Sequence, residues 1–209
     1  LQKGELELAE TLLEISERDI EKFGLIFLYP GFVEARAIYY VSTRQFVQAL
    51  QTADHLSDFS ILEGNDFYLG ISHRIRAMSF LKEKKYDQAK EAALLAVNEL
   101  GLSKRGDIHT YLARQIHGFS LFYTGDFAGA QQELEAVLDY FSRIASDLYY
   151  CETSFLLGLI SLEITSENKG KDETKATIYL KAGILKAMEN RYTYFPLLDS
   201  KTLARVLVQ

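Results

Sequence analysis

The chain has one cysteine, two prolines and no tryptophan in 209 residues. A single thiol, Cys151, cannot pair within the chain, which excludes a disulfide-stapled secreted domain. A lone cysteine fits a reducing compartment, and the cytoplasm is the expected location. No run of about 18 apolar residues occurs, so no membrane-spanning helix is expected. Cations are in short supply, with 23 Lys and Arg against 29 Asp and Glu, a formal net charge of −6. That balance argues against direct nucleic-acid binding, because a phosphate backbone calls for clustered Lys and Arg. Phosphate-loop, dinucleotide, zinc-protease, CxxC and nucleophile-elbow motifs are all missing. What is present is an ordinary globular profile, 48% apolar and 12% aromatic. A chain of this length buries roughly 70% of the surface it exposes when unfolded.

One pattern recurs along the chain: a turn, a large apolar residue, two spacers and an alanine. The large residues are Leu6, Phe46, Tyr86 and Phe127, spaced 40, 40 and 41 apart, and Ala9, Ala49, Ala89 and Ala130 follow with the same spacing. A fifth copy is expected at Tyr179 and Ala182, displaced 52 from the fourth. Nine residues before the large residue sits a small one, Ala37, Ala77 or Gly118, and Gly158 extends the series by 40. Apolar residues around both features recur at steps of three and four, as in Leu112, Ile116 and Phe119. Each unit of about 40 residues therefore reads as two antiparallel helices, A then B. Ala37, Ala77, Gly118 and Gly158 are expected to face Ala49, Ala89, Ala130 and Ala182, since two helices approach closely only where both carry little side chain.

Stop and start residues agree with this register. Gly24, Gly64-Asn65, Gly101 and Gly106 fall between helices, and Asp66, Asp107 and Asp147 suit helix starts. Pro30 and Pro196 fall near the start of a helix A, where proline is tolerated. The apolar run Leu25–Tyr29 reads as the lead-in to such a helix. Glu167–Thr177 is an insertion of about 11 residues, expected as an exposed loop or a polar turn added to helix B. The expected units are 1–24, 25–64, 65–105, 106–145, 146–191 and 192–209, the first a helix B without its A and the last a helix A without its B. With leucine as first residue and a half unit at each end, the sequence is expected to be a piece of a longer protein.

The small residue in helix A, the aromatic at the A–B turn and the alanine opening helix B make the chain resemble a tetratricopeptide-repeat superhelix over nearly all its length. The period of about 40 departs from the usual 34. Units of this length, with turns such as Tyr123-Thr124-Gly125-Asp126-Phe127-Ala128-Gly129-Ala130, resemble the repeat region of MalT-like bacterial transcriptional regulators. The resemblance implies an all-α, right-handed superhelix of about ten antiparallel helices forming a single repeat domain. It implies a non-catalytic module for protein or peptide interaction or for signal sensing, in a transcriptional regulator. The alternative is a general adaptor that binds a partner peptide. Partners on this reading are a protein, a peptide or flanking domains of the same polypeptide, with a small-molecule signal and a homo-oligomer also open.

No catalytic or metal constellation is visible, and no cofactor is expected. His109 and His117, eight apart on one helix A, stand roughly 12 Å apart, too far for one metal to bridge. Cys151 has no base beside it in sequence and reads as a packed thiol. The acids between Glu5 and Glu21 read as a solvated helix face. Adjacent aromatics such as Tyr39-Tyr40 and Tyr149-Tyr150 point about 100° apart on a helix, so some tyrosines must leave the core. A groove along the A helices is expected to carry the recognition residues Glu34, Arg74, Gln115 and Phe155, three before each small residue, with Met78, Phe119 and Tyr123 beside them.

Overall fold

The computed structural model describes residues 5–102, 107–168 and 173–208. It is all-helical, with no strand among the described residues. Among the described residues ten α-helices follow one another: α1 Leu6–Phe23, α2 Tyr29–Ser42, α3 Phe46–Glu63, α4 Asp66–Lys82, α5 Tyr86–Leu102, α6 Asp107–Tyr123, α7 Phe127–Arg143, α8 Asp147–Asn168, α9 Glu173–Glu189 and α10 Ser200–Val208. The lead-in Ile26–Leu28 is a turn of 3₁₀ helix, and Pro30 sits in the first turn of α2, where its missing N–H costs nothing. Gly101 lies within the last turn of α5, whereas Gly106 and residues 103–105 fall outside the described residues. None of the described helices is long and apolar enough to cross a membrane.

The chain forms two compact units, one up to Ala113 and one from Arg114, the division falling inside α6. Within the first, α1 packs on α2, α2 on α3, α3 on α4 and α4 on α5, and α2 also meets α4. Within the second, α7 packs on α8, α8 on α9, and α10 on α8.

The A-to-B turns after α2, α4 and α6 are built the same way. Arg44, Lys84 and Gly125 all take the left-handed conformation, with φ of 61°, 63° and 86°. Each turn then closes with the same pair of backbone bonds. The Arg44, Lys84 and Gly125 N–H groups donate to Val41, Leu81 and Phe122, and the next residues, Gln45, Lys85 and Asp126, donate to Tyr40, Phe80 and Leu121. This left-handed ending satisfies carbonyls that the helix end would leave orphaned.

Helix B presents one buried row. It reads Ala49, Ala53, Leu56, Ser60 in α3; Ala89, Ala93, Ala96, Leu100 in α5; and Ala130, Leu134, Val137, Phe141 in α7. The steps of four, three and four hold the row on one helix face. Val33 and Ala37 of α2 and Ile71 and Ile75 of α4 join Ala53, Leu56, Ala96 and Leu100 in one core cluster.

The fifth copy differs from expectation. In α9 the buried pair is Ala176 and Leu180, 46 residues after Ala130 and Leu134, while Ala182 is only half-buried. A Cβ on Gly158 would meet Leu180 at 2.5 Å and the Ala176 carbonyl at 3.4 Å. The cause lies in α8, which runs for 22 residues against 17 in α4 and α6. The extra residues therefore lengthen helix A rather than helix B, and positions 169–172 of the expected loop lie outside the described residues.

Candidate protein-binding surface

The residues expected to edge a groove lie inside. Arg74 is 3% exposed and forms an ion pair with Glu34, whose side chain is itself mostly covered. His109 Nδ1 stands 3.6 Å from the same Glu34 carboxylate, and its ring meets Phe67 edge-on at 5.2 Å. Burial pulls the His109 imidazole below its ordinary value; Glu34 pulls it up and Arg74 down. Gln115 is fully buried and donates to Thr153 Oγ1 at 3.0 Å and to the Tyr149 carbonyl at 3.1 Å. Met78, Phe119 and Phe155 are buried, and Tyr123 is half-buried with its hydroxyl bonded to Thr202. The physical reason is the seam between successive A helices. Glu34 on α2 meets Arg74 on α4, and Gln115 on α6 meets α8, so the position three before the small residue joins one helix A to the next.

Charged pairs inside the second unit also serve packing. Arg114 holds Glu133 through two bonds of 3.1 and 2.8 Å, and His117 stands 3.6 Å away. Burial pushes the Glu133 carboxyl up, but the bonds and charges of His117 and Arg114 outweigh it and hold it at about 2. The Cys151 thiol is buried and, mainly for that reason, pushed up to about 12. No group of three His, Cys, Asp or Glu among the described residues is placed to hold a metal ion.

An open apolar surface lies instead along α9. Aligned on its buried row, Ile178 takes the position of Gln51, Glu91 and Gln132, and Leu185 that of Asp58, Asn98 and Asp139. Those six polar residues are exposed, as solvent-facing helix positions normally are. Ile178, Leu185 and Met188 are equally outward, at 61, 50 and 70% exposed. Two clefts flank this stripe. One, of about 490 Å³, is lined by Leu162, Ala176, Leu180, Ile184, Leu185 and Val206 among others. The other, of about 470 Å³, is lined by Phe155, Ile184, Met188, Phe195, Leu203 and Leu207 among others. Phe155, an expected groove residue, thus lines the second of these clefts. Cations also stand nearby: Lys181 lines the first cleft and Arg191 the second, whereas Lys175, Lys186 and Arg205 are paired with Glu135, Asp147 and Glu163. With the register set on Ala182, Leu185 takes the position of the buried Thr52 and Ala92, so its exposure is not legible in the sequence.

Fold and surface together define an all-helical repeat protein. Comparison of the chain with protein-family models, with curated proteins and with solved structures finds no match.

Proposed function

We propose that this chain is a non-catalytic helical-repeat module that binds a protein segment along α9, in the setting of a cytoplasmic bacterial transcriptional regulator. The observation that carries the binding reading is the apolar stripe Ile178–Leu185–Met188 with its flanking clefts. An amphipathic helix laid in such a trough buries its apolar face against anchors at helical spacing. Lys181 and Arg191, which line the two clefts, favour an occupant with acidic flanks. The regulator setting rests on the likeness of the 40-residue units and their turns to the repeat region of that group.

The test uses two labelled helical peptides with the same apolar face, one flanked by Glu and one by Lys, in fluorescence anisotropy. The Glu-flanked peptide binds more tightly, and Ile178→Gln with Leu185→Asp weakens it by about tenfold or more, the equivalent of 1.4 kcal/mol. Affinity unchanged by the double substitution, or no binding of either peptide, overturns the reading.

A further inference from the structure

We infer that the turn between α3 and α4 is a second docking surface, and that its occupant is a segment of another protein carrying apolar anchors beside Lys or Arg. This surface lies in the first unit and does not depend on the reading of α9.

The apolar residues at this turn depart from the chain's own pattern. Ile61 and Leu62 stand near the end of α3 and are 78 and 82% exposed. Forty residues on, Gly101 and Leu102 take the same positions in α5, and Leu102 is 83% exposed. In α1 the two positions hold Glu21 and Lys22, and in α7 Ser142 and Arg143, as a helix end facing water ordinarily does. Helix α3 is packed on both α2 and α4, and its own row Ala49, Ala53, Leu56 and Ser60 is buried. Ile61 and Leu62 lie outside that row. Nor does the turn use their side chains. Gly64 takes the left-handed conformation at φ 59°, and the Gly64 and Asn65 N–H groups donate to the Ile61 and Ser60 carbonyls.

Three rings stand beside this pair. Phe59 lies one helical turn before Leu62, 6.2 Å from Tyr29 at the start of α2 and 5.2 Å from Tyr68 in the first turn of α4. All three remain partly open to solvent. The face of such a ring attracts an ammonium or guanidinium group.

Charge decides the occupant. No Lys or Arg occurs between Arg44 and Arg74, whereas Asp54, Asp58, Glu63 and Asp66 do. Asp54 pairs with Arg76. Among the described residues Asp58, Glu63 and Asp66 are exposed and form no ion pair. Lys104 and Arg105, beyond Leu102, lie outside the described residues. Asp66 suits the first turn of α4 and needs no other account. Glu63 is the last residue of α3, where the helix end is already negative and a carboxylate is disfavoured. Apolar tips flanked by uncompensated carboxylates fit a partner that brings both apolar contact and positive charge. The same carboxylates repel nucleic acid, an anionic lipid surface and the same edge of a second copy.

Fluorescence anisotropy with three labelled peptides tests this: Leu anchors flanked by Lys and Arg, the same anchors flanked by Glu, and the basic flanks with Ser in place of Leu. The chain used carries Ile178→Gln and Leu185→Asp, so the α9 surface does not contribute. The first peptide binds about tenfold or more tighter than either of the others, and raising salt from about 0.1 to 1 M weakens it. Ile61→Gln with Leu62→Gln, and separately Asp58→Asn with Glu63→Gln, each lower its affinity by about tenfold or more, with the helical circular-dichroism signal unchanged. Ser142→Ala with Arg143→Gln, at the matching end of α7, leaves the affinity as it was. No binding of the first peptide, equal binding of the Glu-flanked or anchorless peptide, or an affinity that either double substitution at the turn leaves unchanged overturns the inference. Ile61→Gln with Leu62→Gln in the otherwise wild-type chain silences this turn while α9 is assayed, so each surface stands or falls by itself.

Discussion

The Arg74 guanidinium on α4 is paired with the Glu34 carboxylate on α2, forty residues earlier and at the same position of the preceding unit. The pair is an inter-repeat clasp beneath the surface. Removing one member leaves the other charge buried without its partner, which typically costs about 3–5 kcal/mol. Glu34 keeps some solvent contact, so Arg74→Ala is expected near the lower end, about 3 kcal/mol. The double variant Arg74→Met, Glu34→Leu recovers most of that loss, since an apolar pair of similar volume replaces both charges. Urea midpoints of the two single variants and the double variant check this. A double variant no more stable than Arg74→Ala contradicts it.

Gly118 marks the closest approach of α6 to α7. A Cβ there would lie 2.6 Å from both Cγ and Cδ2 of Leu134. Because Cγ is involved, rotating the end of Leu134 does not relieve the clash, and χ1 or the backbone must move. Overpacking of this kind costs about 1–3 kcal/mol, against a gain of about 1 kcal/mol in helix propensity for Gly→Ala. Gly118→Ala is therefore expected to be neutral to mildly destabilising, and Gly118→Leu clearly destabilising. Measured in a Leu134→Ala background, Gly118→Ala becomes stabilising, because the clash is gone and only the propensity gain remains. Thermal melts of the four combinations give the coupling directly.

Much of the architecture is legible in the sequence because packing repeats. Phe46, Tyr86 and Phe127 mark the A–B turns, and Ala49, Ala89 and Ala130 open the buried row of each helix B, so the 40-residue period announces both; the small residues of helix A do not meet those alanines, however, since Gly118 faces Leu134 and Gly158 faces Leu180. The fifth unit escapes because a longer α8 shifts α9 by six residues, and periodicity alone does not say whether an insertion lengthens helix A or helix B. The recognition row fails for a different reason. A helical wheel groups Glu34, Arg74, Gln115 and Phe155 on one face, but it does not show that the next helix A covers that face. Polar residues there look like a solvated stripe until their partners appear: Glu34 for Arg74, Thr153 for Gln115. Conversely, Leu185 looks like core until α9 is placed on Ala176 and Leu180.

Glu133 makes stability depend on acid. Its folded carboxyl is held at about 2 against an ordinary 4.5, so the folded state releases this proton more readily than the unfolded chain. The stabilisation is fully present above about pH 4.5 and is lost as pH falls through about 2. The gap is worth about 3 kcal/mol at full effect. Unfolding free energies between pH 2 and 6 should therefore rise with pH, and Glu133→Gln should flatten that rise. An identical slope in the variant shows that other carboxylates carry the dependence.

Glu152 controls the wall of the cleft from within. Its side chain is fully buried on α8, and Oε1 accepts the Leu197 N–H at 2.6 Å. Leu197 lies in the irregular stretch between α9 and α10, beside Phe195, whose ring meets Phe155 edge-on at 5.3 Å. A short stretch without helix has few backbone bonds of its own, so one charged acceptor carries much of its order. A hydrogen bond to a charged group contributes about 1.5–3 kcal/mol. Glu152→Ala removes the acceptor and should speed exchange of the Leu197 amide by about tenfold or more, by the same energy. Glu152→Gln keeps an oxygen at that place and should give an intermediate rate. Amides in the middle of α8 report global stability in the same spectra, so the local effect is read as the Leu197 change beyond theirs. Equal acceleration at Leu197 and in α8 shows that Glu152 acts on the whole unit rather than on the cleft wall.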